Sequence, residues 1–162
     1  MILKILKKLL KSIRRAFLRD KSFTIISDNC WGGFVYQYFG LQYSSPIIGL
    51  FLFSPDYIRM LENLNWYLTQ DLQFISSDDS KYKKELLKNN TYNTYPIALI
   101  GDVEIHFLHY SSAEEARTKW NRRLKKVNFD NLIVKFCDKD LCSKELLIKF
   151  ESLNFERKIS LT

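Results

Sequence analysis

Three short groups of residues in this 162-residue chain have types and spacings that chemistry uses. The first is Asn29-Cys30-Trp31-Gly32-Gly33, one residue after the β-branched run 22–27. A thiol where a strand hands over to a helix lies near the positive end of the helix dipole, which favours its thiolate. Gly32 and Gly33, with Asn29 beside them, leave room for a ligand's polar groups to reach backbone N–H donors. The arrangement suits an anion, or an acyl or phosphoryl group, at a helix N-terminus. The same residues equally describe a small buried cysteine with glycines that let helix pack on strand. P-loop spacing and the G-x-G-x-x-G fingerprint are both absent from it, so no nucleotide motif is present.

The second group is "GDVEIHFLHY", 101–110, which holds the chain's two histidines, His106 and His109, beside Asp102 and Glu104. Strand alternation puts Glu104 and His106 on one face and Val103, Ile105 and Phe107 on the other. An imidazole with a carboxylate neighbour can act as general base for Cys30. These groups could instead bind a divalent metal, although a third histidine is lacking, and no metal is expected. Equally, one histidine is a core residue and the other a hydrogen bonder at a strand end.

The third group is "KWNRRLKKVN", 119–128, in which Trp120 faces the core. Arg122 and Arg123, with Lys125 and Lys126, could clamp a phosphate or pyrophosphate. Glu114 and Glu115 could equally neutralise part of this run through helical pairs, leaving a solvated face.

The elements that position these groups follow from apolar period and caps. A buried strand is expected at 22–27 and a helix from Trp31 to Phe39, stopped by Gly40. The apolar run 46–53 reads as a second buried strand, followed by a helix with Ser54 as N-cap and Pro55 at its first position. A short strand at 72–76, a polar surface excursion after it, and a strand–turn–strand over 95–110 come next. Ser112 and Glu115 form a capping box for a helix carrying Ala113, Ala116, Trp120, Leu124 and Val127. A strand at 131–137 and a last helix complete the order. Buried strands alternating with capped helices predict an α/β domain over 22–162, three-layer α/β/α with a mainly parallel sheet. Ligands of such sheets sit beyond the strands' carboxyl ends.

The net charge of +7 lies wholly in residues 1–21, which hold eight basic residues and one acid; the rest is neutral. A nucleic-acid-binding domain carries its excess on the folded body, so nucleic acid is not an expected partner. Lysines interrupt every hydrophobic run of the segment 1–19, which therefore does not read as a secretory signal. At 100° per residue Ile2, Ile5, Leu6, Leu9, Leu10, Ile13, Ala16 and Phe17 fall in one sector and the basic residues in the opposite one. That pattern predicts an amphipathic helix lying on an anionic membrane surface, the inner leaflet in the expected setting. The alternative is a terminal helix docked on the protein's own core. An odd count of cysteines, Cys30, Cys137 and Cys142, without framework spacing, points to a reducing cytoplasm.

The stretches 26–51 and 95–128, in this order, resemble a bacterial family, a domain of unknown function labelled as exopolysaccharide or capsule biosynthesis protein. The family's Asn-Cys-Trp-Gly-Gly falls on Asn29 to Gly33, its acidic and histidine strand on Asp102, Glu104, His106 and His109. Its Trp and Arg-Arg helix falls on Trp120, Arg122 and Arg123. Asp28 stands where the family more often has Asn, and longer members carry a further C-terminal part. The resemblance implies an α/β/α fold and a role in surface-polysaccharide assembly, with no agreed reaction and an unknown cofactor. It implies a cytoplasmic, membrane-peripheral transferase on nucleotide-sugar or lipid-linked glycan intermediates. In that reading Cys30 is nucleophile or ligand binder, His106 or His109 the base, and Arg122 and Arg123 the anion clamp. Two alternatives stay open: an accessory protein that binds a glycan-lipid intermediate or a membrane synthase, and a papain-like cysteine hydrolase.

Overall fold

The computed structural model describes residues 2–161; Met1, Thr162 and the side chain of Ile2 lie outside the described residues. The chain has an α/β fold in which strands fall into two sheets of three. The first is parallel. Strand β1 (Thr24–Ser27) pairs with β5 (Leu132–Cys137), and β5 with β6 (Lys158–Leu161). The second is antiparallel: β2 (Gln73–Ile75), β3 (Ile97–Ile100) and β4 (Val103–His106), with Thr24 facing Leu132 in the first sheet and Ile97 facing His106 in the second.

One apolar core joins both sheets. Ile26, Val134 and Phe136 reach it from the parallel sheet, and Ala98, Ile100, Val103, Ile105 and Phe107 from the antiparallel one. Helices α3 (Ser54–Glu62), α4 (Leu64–Thr69), α6 (Ala113–Leu124) and α7 (Lys144–Ser152) supply Tyr57, Leu61, Leu68, Trp120 and Phe150. Helix α2 (Trp31–Phe39) packs on β1 over a smaller cluster around Phe23, Ile25, Tyr36 and Ile48. Its approach to the strand is close: a Cβ on Gly32 would stand 2.9 Å from Ile25 Cγ2. Gly40 ends the helix in the left-handed region at φ 64°, as its position after Phe39 predicts.

Several expectations from sequence are revised. The run 46–53 is buried but makes no regular strand; Phe51 shares a single antiparallel bridge with His106. Ile48 N–H turns back to the Pro46 carbonyl and Gly49 sits at φ 73°, so extended pairing is broken by local turns. Ser54 is the first residue of α3 rather than its cap, and its hydroxyl is used by the Lys139 carbonyl at 2.6 Å. The expected single helix after it is split at Asn63 into α3 and α4. The polar stretch after β2 contains a short helix, α5 (Lys83–Lys88), with buried Leu86, and it buries Ser77 and Ser80. Strand β6 has no counterpart in the sequence reading. The capping box at α6 is present in altered form: Ser112 accepts from Glu115 N–H, while the Glu115 carboxylate accepts from Ser111 N–H.

Helix α1 (Ile2–Ala16) touches the body through its basic face. The Arg14 guanidinium lies 4.0 Å from the Tyr38 ring centroid, and Arg15 reaches the Gly40 carbonyl. Its apolar face points the other way: Leu3, Ile5, Leu6, Leu9, Leu10 and Ile13 are exposed, and Phe17 just beyond is 83% exposed. The helix is therefore not docked by its apolar stripe on the protein's own core. No described helix is long and apolar enough to cross a membrane.

Candidate functional site

Cys30 closes the turn between β1 and α2 and occupies the N-cap position of that helix. It is half-buried on a ridge between two clefts. One, of about 440 Å³, is lined by Cys30, Gly33, Tyr43, His109, Lys119 and Arg123 among others. The second, of about 470 Å³, is largely apolar: Trp31, Phe34, Phe51 and Leu108 line it, with Asn29 and Asp140 at its edge. The tertiary structure thus brings together four residues from three distant segments, Cys30, His109, Arg123 and Lys119.

The first cleft is cationic and only partly compensated. Lys119 pairs with Glu115 one turn earlier on α6. Arg123 is 7% exposed and has no carboxylate partner among the described residues. Its Nη1 donates to the Tyr110 hydroxyl at 2.5 Å and to the Ile48 carbonyl at 3.3 Å, and its guanidinium lies 4.9 Å from the Tyr43 ring centroid. Its buried Nε has no partner. His109 stands exposed at the mouth of the cleft, where its backbone N–H donates to the Gly49 carbonyl.

The thiol departs from the sequence expectation. Burial pushes the Cys30 thiol above its ordinary value, and the Sγ leans on the Leu50 carbonyl at 3.8 Å. Desolvation is the cause: half-burial of the thiol disfavours its charged form.

The carboxylate and imidazole strand does not converge on this cleft. Glu104 and His106 do not share a wet face, because β4 is buried on both sides. Glu104 accepts from Ser80 Oγ at 2.6 Å and from Lys81 N–H at 2.7 Å. His106 is fully buried, stacked on Phe51 at 4.8 Å, with Phe53 and Tyr95 edge-on to it. Neither ring nitrogen has a hydrogen-bond partner; Glu104 Oε2 lies 3.7 Å from Nε2, beyond hydrogen-bond reach. Burial, and after it the Lys81 charge, pulls the His106 pKa down to about 3. Asp102 sits on the Gly101–Asp102 turn and accepts from Tyr67 Oη at 2.7 Å and from Arg59, which together hold its carboxyl below the usual range. Arg122 lies apart from Cys30, in a third cleft with Lys11 and Lys126. Asn29 caps the turn instead of facing the first cleft, its Oδ1 accepting from Trp31 N–H at 3.1 Å. Gly33 lines the cleft, whereas Gly32 serves the contact of α2 with β1.

The buried imidazole has a measurable consequence. The unfolded chain takes up a proton near pH 6.5, and the folded one does so only near 3. Between these values the unfolded state binds more protons, so stability falls as pH drops. At pH 4.5 this amounts to about 2–3 kcal/mol relative to pH 7. Urea unfolding at the two pH values measures it, and His106→Leu is expected to remove that part of the pH dependence.

Sequence reasoning passed over a second polar cluster, at the carboxyl end of the parallel sheet. Asp28 follows β1 and is 3% exposed; Lys135 Nζ donates to its Oδ1 at 2.9 Å from within β5. The Cys137 thiol donates to Asp28 Oδ2 at 2.8 Å, and Asn29 Nδ2 donates to Cys137 Sγ at 3.3 Å. Burial, and after it the Asp28 carboxylate, push the Cys137 thiol up to about 11. A lysine set between Val134 and Phe136 in an apolar strand was the available signal, because an unpaired charge there is very costly. Among the described residues no group of three or more His, Cys, Asp or Glu is gathered to hold a metal ion.

A protein of Haemophilus influenzae, described as uncharacterized, is 33% identical over 145 residues, covering 90% of this chain and 64% of that protein. The chain thus spans under two thirds of the length of the relative it matches. Residues 1–162 match the family described as a domain of unknown function, DUF1919, and the chain belongs to that family.

Proposed function

We propose that this protein acts in surface-polysaccharide biosynthesis, of exopolysaccharide or capsule, at the inner face of the cell membrane. Its substrates in this reading are nucleotide-sugar or lipid-linked glycan intermediates, and its reaction is a transfer. The observation that carries the reading is the cleft in which Cys30, His109, Lys119 and Arg123 meet. A cationic wall facing an exposed imidazole suits a phosphate-bearing donor and a sugar hydroxyl that must lose its proton. The adjoining apolar cleft with Trp31, Phe34 and Phe51 offers aromatic surface for a sugar ring or prenyl chain. Arg123 holds the anion, His109 takes the hydroxyl proton, and Cys30 lines the junction of the clefts.

The motif resemblance supplies the pathway, and the exposed apolar face of α1 supports its membrane setting. Polymer production tests the reading. His109→Ala is expected to lower it by roughly a hundredfold, the size of a lost general base, with folding unchanged because the side chain is exposed.

The state of Cys30 favours a second reading, an accessory protein that binds a glycan-lipid intermediate without turning it over. A thiol kept protonated by burial is not a ready nucleophile, and thiol hydrolysis gains no support from it. In that second reading His109→Ala leaves polymer production unchanged.

A further inference from the structure

A third cleft, of about 500 Å³, opens between α1 and the C-terminal end of α6. Lys11, Arg122, Arg123 and Lys126 line it, together with Gly40 and Tyr43, and no carboxylate does. Lys126 Nζ donates to Gln42 Oε1 at 3.2 Å, and none of the four cations has an acidic partner among the described residues. Four cations drawn around one concavity repel one another unless an anion joins them. Arg123 sharpens the point: it is buried, uncompensated, and reaches both this cleft and the one at Cys30.

The cleft is placed on a helix whose far side is unpartnered. Lys11 forms one wall, while Leu9, Leu10 and Ile13 of the same helix are exposed in the opposite direction. With that apolar face in a bilayer, a helix diameter of about 10 Å separates the acyl boundary from the cleft, which is the depth of lipid headgroups. Gln37, Tyr43 and Arg123 line both this cleft and the first, so the two adjoin.

We propose that the cleft between α1 and α6 binds the terminal phosphate of a phosphorylated lipid, and that it feeds the Cys30–His109 cleft beside it. Arg122 and Lys126 grip the phosphate oxygens with charge-assisted hydrogen bonds, Lys11 closes the side next to the membrane, and Arg123 bridges to the second cleft. A monoester phosphate offers more oxygens and charge to this set than the phosphodiester of an ordinary anionic headgroup. The proposal rests on the membrane contact of α1 proposed above.

The test uses the full chain and phosphatidylcholine vesicles doped with phosphatidic acid, or with phosphatidylglycerol to the same zeta potential. The wild-type chain is expected to bind the phosphatidic acid vesicles roughly tenfold more tightly, the worth of one added charge-assisted hydrogen bond. Arg122→Ala with Lys126→Ala, both exposed positions, is expected to remove that preference. Lys4→Ala with Lys7→Ala, on the same helix outside the cleft, is expected to weaken both vesicles equally and keep the preference. A preference that survives Arg122→Ala with Lys126→Ala overturns the site, and so does a wild-type chain without one. Binding to neither vesicle overturns the membrane contact itself, which separates the two failures. Inorganic pyrophosphate that saturates the cleft equally well in a chain whose vesicle binding is weakened, Leu9→Glu with Ile13→Glu, while phosphatidic acid in detergent micelles does not compete for it, assigns the site to a soluble anion and overturns the lipid.

Discussion

Lys135→Met lowers the stability of this fold by about 3–5 kcal/mol in urea unfolding, the expected cost of removing one partner from a buried ion pair. Lys135 and Asp28 are 2% and 3% exposed, and their contact is 2.9 Å. With the ammonium gone, the Asp28 carboxylate keeps the Cys137 thiol at 2.8 Å and the more distant Asn29 amide at 3.5 Å. Neither carries a positive charge, so a buried anion is left without its counterion. The Met side chain fills most of the vacated volume, which keeps cavity formation out of the measurement. Adding Asp28→Leu to Lys135→Met is expected to restore most of the lost stability, because an apolar pair there leaves no charge to compensate. A double variant whose loss equals the two single losses added together would show that the two side chains are not coupled.

A comparable effect on function is expected from α1. Leu6→Glu, Leu9→Glu and Ile13→Glu together should reduce binding to anionic vesicles by roughly a hundredfold or more. The three side chains are exposed, at 49%, 55% and 46%, so the body should unfold at an unchanged urea concentration. Each contributes a large part of the 1.5–3 kcal/mol or so that full burial of such a side chain supplies. The basic residues remain and still attract the surface by about 1 kcal/mol each, so a residual, salt-sensitive association is expected. Co-sedimentation at low and high salt separates the two contributions. Binding that survives all three substitutions would show that the apolar face of α1 does not enter the bilayer.

Local sequence carries local structure well in this chain. The strand at Thr24–Ser27, the helix from Trp31 to Phe39 with its Gly40 stop, and the α6 start at Ser112 are each set by neighbours within a few positions. The failures share a cause: each depended on a partner far away in the chain. Residues 46–53 look like a strand because they are uniformly apolar, yet with turns at Ile48 and Gly49 only Phe51 pairs, and its partner His106 is far along the chain. The stretch after β2 is polar but not peripheral, because Ser80 and Lys81 serve the buried carboxylate of Glu104. β6 is legible only beside β5, whose edge it covers through the pairs Val134–Lys158 and Phe136–Ser160.

The candidate site divides in the same way. Sequence alone determined that Cys30 stands between a strand and a helix, that the basic excess belongs to an amphipathic first helix, and that Arg123 follows Trp120 on one capped helix. It left open which of the two histidines is the base, since a separation of three positions carries no record of what covers each. Only the tertiary structure decided between them, placing Phe51 and Phe53 over His106 and leaving His109 at the mouth of the cleft with Cys30 and Arg123. The reason is physical: alternation and caps depend on the nearest few residues, whereas burial and the charge state it imposes depend on atoms that the chain brings together from tens of positions away.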